Sequence, residues 1–136
     1  MSLNPEKISK VKKLFLEILK PKIEFKVEEN KIILLPKGAI FIMNELKLTA
    51  FYNELDFTDS SKFSLFMTDT RVVISDSKGE VSSARFKGES QSNKYDINKV
   101  REAAREAATE KALTIYLELD TIFSEDELKV IRNRKR

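Results

Sequence analysis

The chain contains no histidine and no cysteine. Without histidine it lacks the usual general base, the usual proton shuttle and the commonest metal ligand. Without cysteine it can form neither a disulfide framework nor a thiolate metal site. Tryptophan is absent, and 136 residues hold only 3 glycines and 3 prolines. The glycines are isolated from one another, so no Gly-rich phosphate loop exists. No apolar run reaches the ~18 residues that a membrane helix requires. These absences lead us to expect a soluble, cytoplasmic, non-enzymatic domain with no cofactor, no metal and no transmembrane segment.

What is present is charge, at 35% of residues, with a net value of +3. Its distribution is uneven. Residues 1–26 hold seven Lys against three Glu, a balance of +4. Residues 124–136 hold five basic and three acidic groups, a balance of +2, which leaves −3 for residues 27–123. Basic ends are an electrostatic footprint for nucleic acid or anionic lipid, although most charge runs are only solvated faces.

One domain over residues 1–136 is expected, of α+β class. An N-terminal helix over residues 4–20 is marked by Asn4 as N-cap, Pro5 at the first helical position and Pro21 as terminator. Ile8, Val11, Phe15, Ile18 and Leu19 give it an apolar face. Residues 22–88 read as a six- to seven-stranded antiparallel sheet. Its segments are "KIEFKV", "KIILLP", "AIFIM" after a turn at Lys37–Gly38, "ELKLTAFY", "FSLFMTD", "RVVISD" and "VSSARFKG", with "NELDFTDSSK" as a polar loop. Short links favour antiparallel pairing, and alternation with polar residues leaves one sheet face to water or a partner.

A long helix over residues 97–121, capped by Asp96, is expected to pack on that sheet. Its main stripe contains Ile97, Val100, Ala104, Ala108, Ala112, Ile115, Leu119 and Ile122. Alanine lets a helix axis approach its neighbour closely, so this stripe seats the helix tightly at Ala104 and Ala108 and lifts it toward Ile115 and Leu119. Leu113, Tyr116 and Leu117 form a second apolar patch that needs cover, from the first helix or from a second copy of the chain in a homodimer. Ser124 with Glu127 forms a capping-box pattern opening a short, basic helical appendage over residues 124–136.

Two local resemblances extend this reading. "AATEKAL", with Lys99 and Arg101 upstream, is similar to the last helix of double-stranded-RNA-binding domains. That resemblance implies phosphate contacts at Lys94, Lys99, Arg101 and Arg105, although no paired lysines open this helix and Glu102 interrupts the basic run. "FMTDTRVVISDSKG" looks like the hairpin of bacterial pleckstrin-homology-like and GRAM-type domains. At the level of layout alone, a curved sheet gripping one long C-terminal helix resembles START-like carriers of apolar ligands.

For chemistry, the candidate carboxylate pairs are Glu28/Glu29, Asp56/Asp59 and Asp69/Asp76, each with a simpler reading as turn or loop residues. No convergent set of catalytic roles emerges. The leading expectation is a binding module that takes an apolar ligand or a protein partner, with Leu113, Ile115, Tyr116, Leu117 and Leu119 as its contact residues. The alternative is a nucleic-acid-binding module using Lys10, Lys13, Lys94, Lys99, Arg101 and Arg105.

Overall fold

The computed structural model describes residues 4–60, 62, 65–91 and 96–134. Helix α1 (Pro5–Lys13) runs into a π-helical turn at Leu14–Ile18. Strands β1 (Phe25–Glu28) and β2 (Lys31–Leu34) precede helix α2 (Pro36–Glu45). Strands β3 (Thr49–Ser60), β4 (Leu65–Asp76) and β5 (Gly79–Gln91) then lead to helices α3 (Ile97–Tyr116) and α4 (Glu125–Arg132). Two compact units emerge, one drawn from the chain up to Leu46 and from Leu113 onward, the other spanning Lys47–Ala112.

The expected six- to seven-stranded sheet is not present. The fold is α+β, but its strands form a two-stranded antiparallel sheet, β1-β2, and a three-stranded antiparallel sheet in the order β3-β4-β5. Three local causes account for the difference. First, "PKGAIFIMNE" is a helix, with Pro36 in its first turn. Gly38, Ala39 and Ile42 are its buried positions, which is helical rather than alternating spacing. A Cβ on Gly38 would lie 1.9 Å from the Glu24 carbonyl oxygen, so this glycine serves close packing and not a turn. Second, "FSLFMTD" and "RVVISD" merge into β4, because Thr68 and Thr70 continue its buried face at 1% and 2% exposure. Third, the acidic segment read as a loop is the second half of β3, an edge strand whose side chains are mostly exposed and therefore carry no apolar alternation.

In the first unit the π-helical turn inserts one extra residue per turn into α1. That rotation leaves Ile18 exposed and brings Leu14, Phe15 and Leu19 into the core. Phe15 meets Phe25 and Phe123 edge to face, at ring-centroid distances of 5.2 and 5.7 Å. Asn4 accepts a 2.9 Å hydrogen bond from the Lys7 amide, capping α1. β1 and β2 are joined by Glu29 and Asn30, both at positive φ, the geometry of a two-residue hairpin turn.

α3 stops at Tyr116, five residues before the expected Thr121, through a left-handed residue at Glu118 with φ of 53°. The Leu119 amide bonds the Thr114 carbonyl and the Glu118 amide bonds the Ile115 carbonyl, the pair of bonds that closes a Schellman end. α4 then begins with a complete capping box between Ser124 and Glu127.

In the second unit β4 is the central strand, and α3 lies over one face of the sheet. Ala104, Ala108 and Ala112 are buried there with Phe66, Val72 and Ile74. The approach is close. A Cβ on Gly88 would lie 3.1 Å from the Ala104 Cβ, and the Ser82 hydroxyl donates 2.8 Å to the Ala112 carbonyl.

Candidate nucleic-acid interface

The α3-facing side of the three-stranded sheet is tied down by an ion-pair network. Arg101 donates from Nε and from a terminal nitrogen to the two oxygens of Glu54, at 2.8 and 2.9 Å, and Thr68 donates to the same carboxylate at 2.7 Å. These bonds, the Arg101 pair foremost, hold the Glu54 carboxyl below its ordinary range. The Arg101 guanidinium also lies over Phe57 and Phe66, with centroid distances of 5.6 and 5.4 Å. Arg105 lies 5.6 Å over the Tyr52 ring. The Tyr52 hydroxyl sits 2.8 Å from the Thr109 hydroxyl, which itself donates to the Arg105 carbonyl, so Tyr52 is the donor. The α3 arginines thus fasten the helix to β3 along a cleft of about 500 Å³, lined by Glu54, Asn98, Arg101, Glu102 and Arg105.

The opposite side of the sheet carries a different pattern. The strand register sets Phe51, Val73 and Ser83 in one row across three strands, Asn53, Arg71 and Arg85 in the next, and Asp56, Asp69 and Lys87 in a third. Phe51 is 67% exposed, the most exposed large apolar residue described. Arg85 bonds Asp69 through two nitrogens, at 3.4 and 2.5 Å. That contact lowers the Asp69 carboxyl from its ordinary range and raises Arg85. Arg71 stands directly opposite Arg85, and among the described residues it makes no hydrogen bond or ion pair. Like charges directly opposite one another across strands destabilise a sheet. Two arginines therefore stand side by side, and of the two only Arg85 is paired with a carboxylate.

The residues singled out from sequence fall in several places. Lys99, Arg101 and Arg105 lie on α3 within the second unit, where Arg101 and Arg105 are engaged as above and Lys99 is exposed. Lys10 and Lys13 are exposed on α1, in the first unit. Lys94 lies outside the described residues. Of the apolar candidates, Leu113, Leu117 and Leu119 are core residues of the first unit, Ile115 is exposed, and Tyr116 is half-buried with its hydroxyl 3.2 Å from Lys7 Nζ. Of the carboxylate pairs, Glu29 occupies the β1–β2 turn, and Asp76 accepts from the Lys78 amide in the β4–β5 turn. Asp56 and Asp69 are direct cross-strand neighbours. Among the described residues no group of three or more acidic side chains gathers as a metal site, and no helix is long and apolar enough to cross a membrane.

Arg71 and Arg85 were missed at the sequence level. The signal is there in retrospect, since each alternates with buried or helix-facing positions: Thr70 and Val72 around Arg71, Ala84 and Phe86 around Arg85. Reading "TDTR" as a break between two strands hid that phase. No protein-family model matches the chain, and no curated protein matches it.

Proposed function

We propose that the chain is a non-enzymatic module that binds single-stranded nucleic acid across the open face of its three-stranded sheet. The observation that carries this reading is the unneutralised Arg71 directly opposite Arg85, at a cost to sheet stability that an anionic ligand would repay. The adjoining row supplies the second need of single-strand binding, an aromatic face at Phe51 on which an unpaired base can stack. Asn53 extends the arginine row with an amide at the β3 edge, and Lys87 adds a further cation diagonally across β5. A duplex keeps its bases stacked inside, so an exposed ring on a pleated surface suits single strands better.

The test is anisotropy of a labelled oligothymidine titrated with the protein at low salt. Binding should weaken steeply as salt rises from about 50 to about 200 mM, as counterion release requires. Binding that is absent at low salt, or indifferent to salt, contradicts the proposal.

A second reading has its own observation. β3 is unpaired along its outer side among the described residues, and Phe51, Leu55 and Phe57 stand exposed on it. Such an edge can take a strand from a protein partner, including a second copy of the chain. Sizing with light scattering over a range of concentrations tests the self-association form of that reading.

A further inference from the structure

We infer that a single strand held on the open face continues over the outer edge of β5 into the cleft between β5 and α3, where Lys99 meets a phosphate and Phe86 offers a second base platform. This extension rests on the open-face reading above. The cleft measures about 490 Å³, and its wall includes Phe86, Lys87, Glu89, Lys99, Val100 and Ala103. Its floor is apolar, and Phe86 is 41% exposed within it. β5 is the other edge of the sheet, unpaired on its outer side among the described residues.

Lys87 links the two surfaces. It lines this cleft and also a hollow of about 70 Å³ that Asp56, Thr58, Met67 and Asp69 share with it on the open face. The cations Arg71, Arg85, Lys87 and Lys99 therefore mark a course from the middle of the open face, around the β5 edge, to the first turn of α3, along which Asp69 pairs with Arg85 and Glu89 lines the cleft. Lys99 is exposed, and its side chain has no carboxylate partner among the described residues. Ala103, one turn further along α3, is exposed and small, so the helix presents no bulk to a chain lying in the cleft. A polyanion with flat bases fits a course that ends on an aromatic ring; a neutral peptide would leave Arg71 and Lys99 unanswered.

The experiment is a length series of labelled oligothymidines, from about 4 to about 16 nucleotides, the range of single-strand site sizes. It is run on the full chain and on Lys99→Glu, Phe86→Leu and Arg71→Thr. Lys99 occupies an exposed first-turn helical position where Glu is well tolerated, so that variant should fold. For the longer oligomers, Lys99→Glu should weaken binding several-fold and flatten the salt slope by about 0.7, the loss of one phosphate contact. Phe86→Leu, which keeps apolar bulk but removes the ring, should weaken the same oligomers without changing the slope. Both deficits should appear only beyond a threshold length, whereas Arg71→Thr should weaken short and long oligomers alike. A Lys99→Glu deficit that is equal at all lengths, or absent at all lengths, overturns the extension. An Arg71→Thr variant that binds every length as the parent does overturns the open-face reading itself.

Discussion

Phe15 and Phe25 pack edge to face at 0% and 1% exposure in one unit, whereas Phe51, Phe57 and Phe86 of the other stand 67%, 55% and 41% exposed. The two units solve the burial problem differently. The first fills its interior with large side chains from short elements, Leu14, Phe15, Leu19, Phe25, Ile42, Leu113, Leu117 and Ile131 among them. The second builds its interior from three long strands and an alanine face, adding Phe66, Val72 and Ile74 together with buried Thr68, Thr70 and Ser82. Of the rings left outside, Phe51 stands one row from Arg71 on the open side of the sheet, whereas Phe57 and Phe86 stand on its α3-facing side.

This contrast can be broken from either side. The largest expected effect is in the first unit. Phe15→Ala removes a fully buried ring that meets both Phe25 and Phe123, and should cost about 3–5 kcal/mol in urea unfolding. The second unit should be sensitive to the opposite change. Ala104→Leu adds bulk where a Gly88 Cβ would already come within 3.1 Å, and should cost about 1–3 kcal/mol by overpacking. A tolerant Ala104 would mean that the alanines do not set the distance between α3 and the sheet.

A third prediction concerns pH. Burial, reinforced by Glu106, pushes the Glu110 carboxyl from its ordinary 4.5 up to about 7. The native state therefore holds this proton more tightly than the unfolded chain does. The Glu110 contribution to stability should be full below about pH 4.5 and be lost as pH rises toward about 7, because the native protein must then carry a disfavoured charge. Glu110→Gln should flatten that part of the stability profile, as followed by urea midpoints across the window. An unchanged profile would show that Glu110 does not titrate in this range.

Much of the local punctuation was legible in the sequence, and the long-range pairing was not. Asn4, Pro5 and the Ser124–Glu127 box mark helix starts because capping is a matter of a few adjacent residues. The "EEN" turn was visible for the same reason. The strand count failed where the sheet buries polar groups. Thr68 is internal because it donates to Glu54, a partner 14 positions away that periodicity cannot reveal. Gly38 was mistaken for a turn glycine because its role depends on the Glu24 backbone, distant in sequence. The alanines were read correctly in part. Ala104, Ala108 and Ala112 do seat α3 against the sheet, but Ile115, placed on the same stripe, is exposed while Leu113 and Leu117 are buried. The basic candidates on α3 drew attention because they cluster in sequence. Arg71 and Arg85 lie 14 positions apart and meet only through strand register, so no linear pattern shows them together.

The central claim is that Arg71 is kept at a cost to stability for the sake of an anionic ligand, and Arg71→Thr measures both halves at once. Threonine suits a strand and removes the like charge opposite Arg85, so the urea midpoint should rise. Single-strand affinity at low salt should fall, with the salt slope reduced by about 0.7. A variant that is more stable and binds more weakly is the predicted result. A variant that loses stability, or that binds oligothymidine with the parent's affinity and salt slope, contradicts the account.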